Sequence, residues 1–300
     1  MNTIDIVIRV LLFVLAPVFG CLFFGIDRKL TARMQNRVGP PLLQPWYDFR
    51  KLMGKTEEIV NRIHLVFAFA YVAFVMLALG IFLMDGDLLI ICFALGASQV
   101  FLALGAFSVR SPYSHVGAHR YLLQMVAVEP LLGLAAITIK LQTGSFLLSD
   151  IYAQSTYPFF GINTILLLSL PFAFFIVILA TIVDTQKSPF DISTAHSEIV
   201  SGTFVEYSGP YLAITKLGHW FELFLLFGFV SVFFNSDVLW ISIAGKVVLD
   251  FIVFLVILVI DNSTARLTID RLVKFSIRIG LPLIIINIVL IVISSMGVIA

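Results

Sequence analysis

Long apolar runs separated by short polar gaps make up most of the chain. Eight of them are long enough to cross a hydrocarbon core of roughly 30 Å: Ile4 to Ile26, Ile63 to Met84, Leu88 to Val109, Tyr121 to Leu141, Gly161 to Val183, Tyr211 to Phe234, Val238 to Ile260 and Ser276 to Ile299. The pattern predicts an all-α polytopic membrane protein, a single integral membrane domain over residues 1–300 with eight transmembrane helices. Two gaps are more than connections. In the first, residues 27–62, a Gly39-Pro40-Pro41 break precedes Leu42, Leu43, Trp46, Phe49, Leu52 and Met53. Their helical spacing predicts a short amphipathic cytoplasmic helix after the first span. The second, residues 184–210, carries Asp184, Lys187, Asp191, His196, Glu198 and Glu206 between turn-making Ser-Pro and Ser-Gly-Pro steps. Such a segment either sits in water or lines something hydrated within the protein.

Composition agrees with the pattern: 60% of residues are hydrophobic, 12% are charged and the mean hydropathy is +1.06. A soluble domain carries roughly 25% charged residues. The net charge of +1 comes without a basic tail or stripe, which gives no basis for nucleic-acid binding. The placement of the charges says more. Basic residues, among them Arg28, Arg33, Arg37, Arg50, Arg110, Lys187, Arg266 and Arg271, fall in or beside the odd-numbered loops, and the even-numbered loops carry Asp85, Asp87, Asp150 and Asp237. The odd loops are therefore expected in the cytoplasm and both termini on the outer side of the cell membrane. The first run is long enough to be a retained helix rather than a cleaved signal peptide.

The two cysteines, Cys21 and Cys92, both lie in apolar runs. Iron–sulfur clusters and thiolate-bound metals need clustered thiolates, so no metal site or cofactor is expected in this chain. Ionisable residues inside the spans are the stronger signal, since each costs at least about 2.5 to 3.5 kcal/mol at a helix centre and rarely faces lipid. Glu129 lies in the fourth span, without a basic neighbour within one turn. Lys216, His219 and Glu222 share one face of the sixth span, and Lys246 and Asp250 share one face of the seventh. The last two residues fit either a neutralised packing pair or a transport path. His115 and His119 are expected to be solvated in a cytoplasmic loop.

Four stretches resemble a known family: RMQNRVGP with QPWYDFRKL, SPYSHVGAHRYLLQMVAVEP, SPFDISTAHSEIVSGTFVEYSG and RLTIDRLVKF. They are similar to the H subunit of bacterial complex I, and more so to its relatives in membrane-bound, energy-converting [NiFe] hydrogenases. The resemblance covers almost the whole chain and implies eight spans, matching the number read from hydropathy. It implies a membrane anchor between a peripheral redox arm and an ion-pumping membrane arm. It also implies an acidic ion path through Glu206, Glu198, Asp191 and Glu129, which we extend to His196, Glu222, Lys216, Lys246 and Asp250. Arg28, Arg33, Arg37, Trp46 and Arg50 are expected to face the peripheral arm.

The departures are informative. Thr194 and His196 stand where complex I typically places glutamates, complex I has another near His219 in the sixth span, and the first loop is shorter between Gly39 and Gln44. With Glu129-Pro130, these features point to the hydrogenase branch and away from quinone reduction. The implied partners are hydrogenase large and small subunits with the [NiFe] centre and [4Fe-4S] clusters, an iron–sulfur subunit, an antiporter-like membrane subunit, and ferredoxin as electron donor. Three other readings stay open: the H subunit of a quinone-reducing complex I, a stand-alone secondary transporter, and a purely structural anchor. No internal repeat of the kind common in transporters relates the two halves.

Overall fold

The computed structural model describes residues 3–299; residues 1, 2 and 300 of the expected domain lie outside the described residues. In order, α1 spans Thr3–Met34, α2 Gln44–Met53, α3 Arg62–Leu83, α4 Leu88–Phe107, α5 Pro112–Thr143 and α6 Leu148–Ala153. A two-stranded hairpin follows, β1 (Tyr157–Phe159) and β2 (Ile162–Thr164), then α7 (Leu166–Ser169), α8 (Pro171–Asp184) and α9 (His196–Ile199). The chain ends with α10 (Gly209–Ser231), α11 (Leu239–Ser263), α12 (Ile269–Phe275), a π-helical turn (Ser276–Gly280) and α13 (Leu281–Ile299).

Local chemistry sets these boundaries. Asn61 caps α3 by accepting from the Ile63 N–H, and Asp87 caps α4 by accepting from the Leu89 and Ile90 N–H groups. Gly144, at φ +87°, ends α5 in the left-handed conformation that glycine adopts without steric cost. Pro45, Pro112, Pro171 and Pro210 stand in the first turns of α2, α5, α8 and α10, where their missing N–H costs nothing.

Seven helices are long and apolar enough to cross a membrane: α1, α3, α4, α5, α10, α11 and the continuous run from α12 into α13. The fifth expected span, Gly161 to Val183, differs. Its first residues, from Gly161, belong to the hairpin, where Phe160 and Gly161 both take positive φ in a two-residue turn. The helix proper starts later and breaks at Leu170 between α7 and α8, which leaves an apolar helix of 14 residues. The fourth span is instead longer than its apolar run. α5 begins at Pro112, so His115 and His119 lie on a helix, beside Phe107, and not in a loop.

The centre of the bundle is α10, which packs against α1, α2, α3, α8 and α11. Two thirds (67%) of its apolar window is buried inside the protein, against 17% for α1 and 28% for α11, which form the outer wall. The core between the helices is filled by Tyr71, Leu79, Leu95, Leu132, Ile139 and Phe233, all fully enclosed.

Candidate functional site

Three carboxylates from three different helices lie within electrostatic reach of one another in the interior. Glu129 of α5, Asp184 at the last residue of α8 and Glu222 of α10 act on one another electrostatically. Asp184 is 5% exposed and Glu222 1%. Glu129 Oε1, Asp184 Oδ2 and Glu222 Oε1 are buried without a hydrogen-bond partner. Among the described residues no cation pairs with Glu129 or Asp184. Glu222 Oε2 accepts from the Tyr71 hydroxyl at 2.7 Å and lies 3.2 Å from His219 Nδ1. Tyr121 of α5 lines the same space, and the Gln99 side chain, its Nε2 unpartnered, lies beside Asp184. Gly96 of α4 leaves room for the Glu129 carboxyl: a Cβ there would stand 3.7 Å from its Cδ and Oε2.

This cluster contains two of the expected residues and one outside the expected path. Asp184 belongs by sequence to the polar segment 184–210, yet α8 continues through it and carries it inward. The signal is its position directly after the apolar run ending at Val183. Tyr71, Tyr121 and Gln99 also escape a reading of the sequence; Tyr71 and Gln99 are marked only as polar groups within apolar runs, and Tyr121 only as the first residue of one.

From Glu222 the charged face of α10 leads outward through His219 to Lys216. His219 packs at a tilt against Phe24 of α1, with ring centroids 5.4 Å apart. Lys216 turns away from the carboxylates toward α2 and shares a cavity of about 150 Å³ with Phe24, Arg28, Pro45, Asp48 and Trp220. Arg28 donates to Asp48 at 3.0 Å. Burial opposes ionisation of Asp48, but hydrogen bonds from Gln44 and Arg28, and the Arg28 charge, hold its carboxyl below the usual range. Phe49 packs on Trp220 and stacks with Trp46, closing α2 onto α10. Arg33, Arg37, Trp46 and Arg50 stay exposed, with Arg37 held by Gln35 at 3.0 Å.

The segment 184–210 folds over the ends of α3, α4 and α5. Its Gly202, at φ +53°, lies against Gly117 of α5 so closely that a Cβ on Gly117 would overlap the Gly202 backbone. Two of the three expected acids in it, Asp191 and Glu198, are paired with arginines. Asp191 Oδ2 meets Arg266 at 2.7 Å, with Thr194 donating to Oδ1 at 2.8 Å. Glu198 Oε2 meets Arg120 at 2.7 Å. Both pairs line one cavity of about 150 Å³ beside α12. His196 is exposed, its Nδ1 against the Val200 carbonyl. Glu206 is the charge that acts on buried His64, which stacks on Tyr207 at 3.8 Å. Burial pushes the Tyr207 hydroxyl up.

Two further clusters complete the polar interior. Lys187 bridges Asp27 of α1 and Asp261 of α11, the latter at 3.3 Å, and Asp261 also accepts from the Ser188 N–H at 2.9 Å. Lys246 sits 4.0 Å above the Tyr152 ring, with Asp85 and Asp250 as its nearby charges. Lys246 and Asp250 share a face as expected but do not close to an ion pair, and Asp250 Oδ1 is buried without a partner.

The family model described as NADH dehydrogenase matches residues 6–292. An NADH-quinone oxidoreductase H subunit from Syntrophobacter fumaroxidans is 31% identical over 95% of this chain and 92% of its own length. Hydrogenase-4 component C of Escherichia coli is 32% identical over 70% of this chain and 67% of its own. Among solved structures, a chain of the membrane-bound sulfane sulfur reductase, an archaeal respiratory membrane complex, superposes with a TM-score of 0.85. It is 28% identical, and the match covers 96% of this chain and 99% of that one. With a family match across nearly its full length and relatives of the same extent, this chain belongs to the NADH dehydrogenase family that includes the H subunits of complex I.

Proposed function

We propose that this chain is the membrane anchor and ion-translocation-coupling subunit of an energy-converting [NiFe] hydrogenase-type complex. The observation that carries this reading is the cluster of Glu129, Asp184 and Glu222, held together in apolar helices with no cation on the first two. Mutual repulsion among carboxylates out of water is relieved only by a bound proton or cation. A cluster of this kind takes up H⁺ or Na⁺ and passes it on when a neighbouring charge changes. His219 and Lys216 connect it toward α2, where the exposed Arg33, Arg37, Trp46 and Arg50 would meet the peripheral arm. Asp191 and Glu198, each on an arginine, would sense that arm by exchanging partners.

In this reading α7 and α8 cross together as an eighth span despite the break at Leu170, α2 lies at the cytoplasmic interface and both termini lie outside. No bond is made or broken in this chain. The redox step belongs to partner subunits with a [NiFe] centre and [4Fe-4S] clusters, with ferredoxin as donor and an antiporter-like subunit alongside. The likeness to hydrogenase-4 component C supports this branch.

The second reading, a quinone-reducing complex I, is favoured by the likeness to NADH-quinone oxidoreductase subunits. Purification of the native complex in mild detergent, subunit identification by mass spectrometry and an H₂-evolution assay with reduced ferredoxin separate the two. A [NiFe] subunit and H₂ release support the hydrogenase; NADH-oxidising subunits with bound quinone would replace it by complex I. Within the hydrogenase complex, Glu129→Gln should abolish ion movement and leave assembly intact. Ion pumping that survives this change would remove the carboxylate cluster from the path.

A further inference from the structure

A groove runs along the outer wall on the opposite side of α5 from the Gly96 contact of Glu129. Leu123, Val126, Pro130 and Leu134 of α5 face Ile277 and Leu281 across a space of about 200 Å³. From Leu123 to Leu134 the groove extends about 16 Å along the helix. Its floor is where the helices close: a Cβ on Gly280 would overlap the Leu131 side chain. The opposite helix is not regular here. The π-helical turn over Ser276–Gly280 interrupts the α-helical register, a feature that collects at binding sites, and carries Ile277 outward to 60% exposure.

Next in sequence to the groove residues Val273 and Ile277 come Lys274 and Arg278, and Arg271 stands one turn before Lys274 on α12. Arg271 and Lys274, three apart, share one face of α12, and Arg278 follows on the π-helical turn. All three are exposed, and none has a carboxylate at ion-pairing distance among the described residues. A neighbouring apolar helix would fill the groove but leave these cations without anions. A hydrocarbon chain ending in a phosphate satisfies both halves of the site. We propose that the groove binds an anionic phospholipid, with one acyl chain along α5 and the phosphate on Arg271, Lys274 and Arg278. The basic end lies on the side assigned above to the cytoplasm, where anionic lipid is concentrated.

The test is lipid analysis of the intact complex purified in mild detergent, comparing the native chain with R271Q/K274Q/R278Q and with Val126→Trp, which fills the groove. Co-purifying anionic lipid should fall roughly five-fold per charge removed and also fall in Val126→Trp, with zwitterionic lipid unchanged. Equal anionic-lipid retention in all three preparations would overturn the proposal. So would cross-linking of a neighbouring subunit from a photoreactive residue at position 126 in the native complex. Lipid retention is read without any redox or pumping assay, so its outcome is separate from that of the hydrogenase reading.

Discussion

Tyr71 of α3 donates its hydroxyl to Glu222 Oε2 of α10 across 2.7 Å, and both side chains are closed off from the outside. The bond joins two neighbouring helices at the carboxylate cluster and gives Glu222 an anchor that Glu129 lacks. Glu222 is thereby the oriented member of the cluster, whereas Glu129 Oε1 has no hydrogen-bond partner.

Tyr71→Phe removes that donor and leaves only His219 beside Glu222 Oε2. Loss of a partner to a buried acceptor costs about 1–3 kcal/mol. The assembled complex should melt at a lower temperature and move fewer ions per turnover at an undiminished electron-transfer rate. An unchanged melting temperature together with an unchanged ion yield would show that the bond is idle.

Gly96 offers a graded probe of Glu129. A methyl group there meets the carboxyl at an ordinary contact distance of 3.7 Å, so Gly96→Ala should keep ion movement near the native level. Gly96→Leu needs the space that Glu129 occupies and should reproduce the Glu129→Gln defect. Vesicles reconstituted with each complex give the comparison directly.

Lys187 ties α1 to α11 through Asp27 and Asp261, all three half-buried or deeper. Lys187→Met should destabilise the complex by about 1.5–3 kcal/mol, the range for hydrogen bonds to charged groups. Adding D27N and D261N should restore part of the loss, because the uncompensated charges go with the lysine. Glu198 is half-exposed, and breaking its bridge to Arg120 should cost at most about 1 kcal/mol. Thermal denaturation of the four preparations ranks them.

The Arg28–Asp48 pair makes the docking of α2 sensitive to acid. The folded state holds the Asp48 carboxyl below its ordinary value, so the pair contributes fully above that value and is lost as pH falls through the lowered one. Hydrogen-exchange protection of α2, relative to the intrinsic rate at each pH, should therefore be flat from pH 8 to pH 6 and fall only below about pH 4. Asp48→Asn should lower it at neutral pH.

Much of the architecture was legible from the chain alone, because a hydrocarbon core demands about 20 apolar residues per helix and leaves charges few places to stand. Seven long helices and the inward placement of Glu129 and Glu222 follow from that constraint, and the helix over Gln44–Met53 from the helical spacing of its apolar residues. Where the rule weakens, local sequence was ambiguous. The apolar run from Gly161 reads as one span, yet a turn at Phe160-Gly161 and the prolyl start of α8 divide it into hairpin and short helices.

Which charges meet was decided only by tertiary packing. Asp184 joins Glu129 and Glu222 because α8 lies between α5 and α10, and Asp191 is neutralised by Arg266 from 75 residues away. Lys216, on the same helix face as Glu222, ends beside Asp48 instead, because α2 folds back over that end of α10. Periodicity reports the face of a single helix. The partner across the gap depends on how helices far apart in sequence come to lie side by side, and no local pattern encodes it.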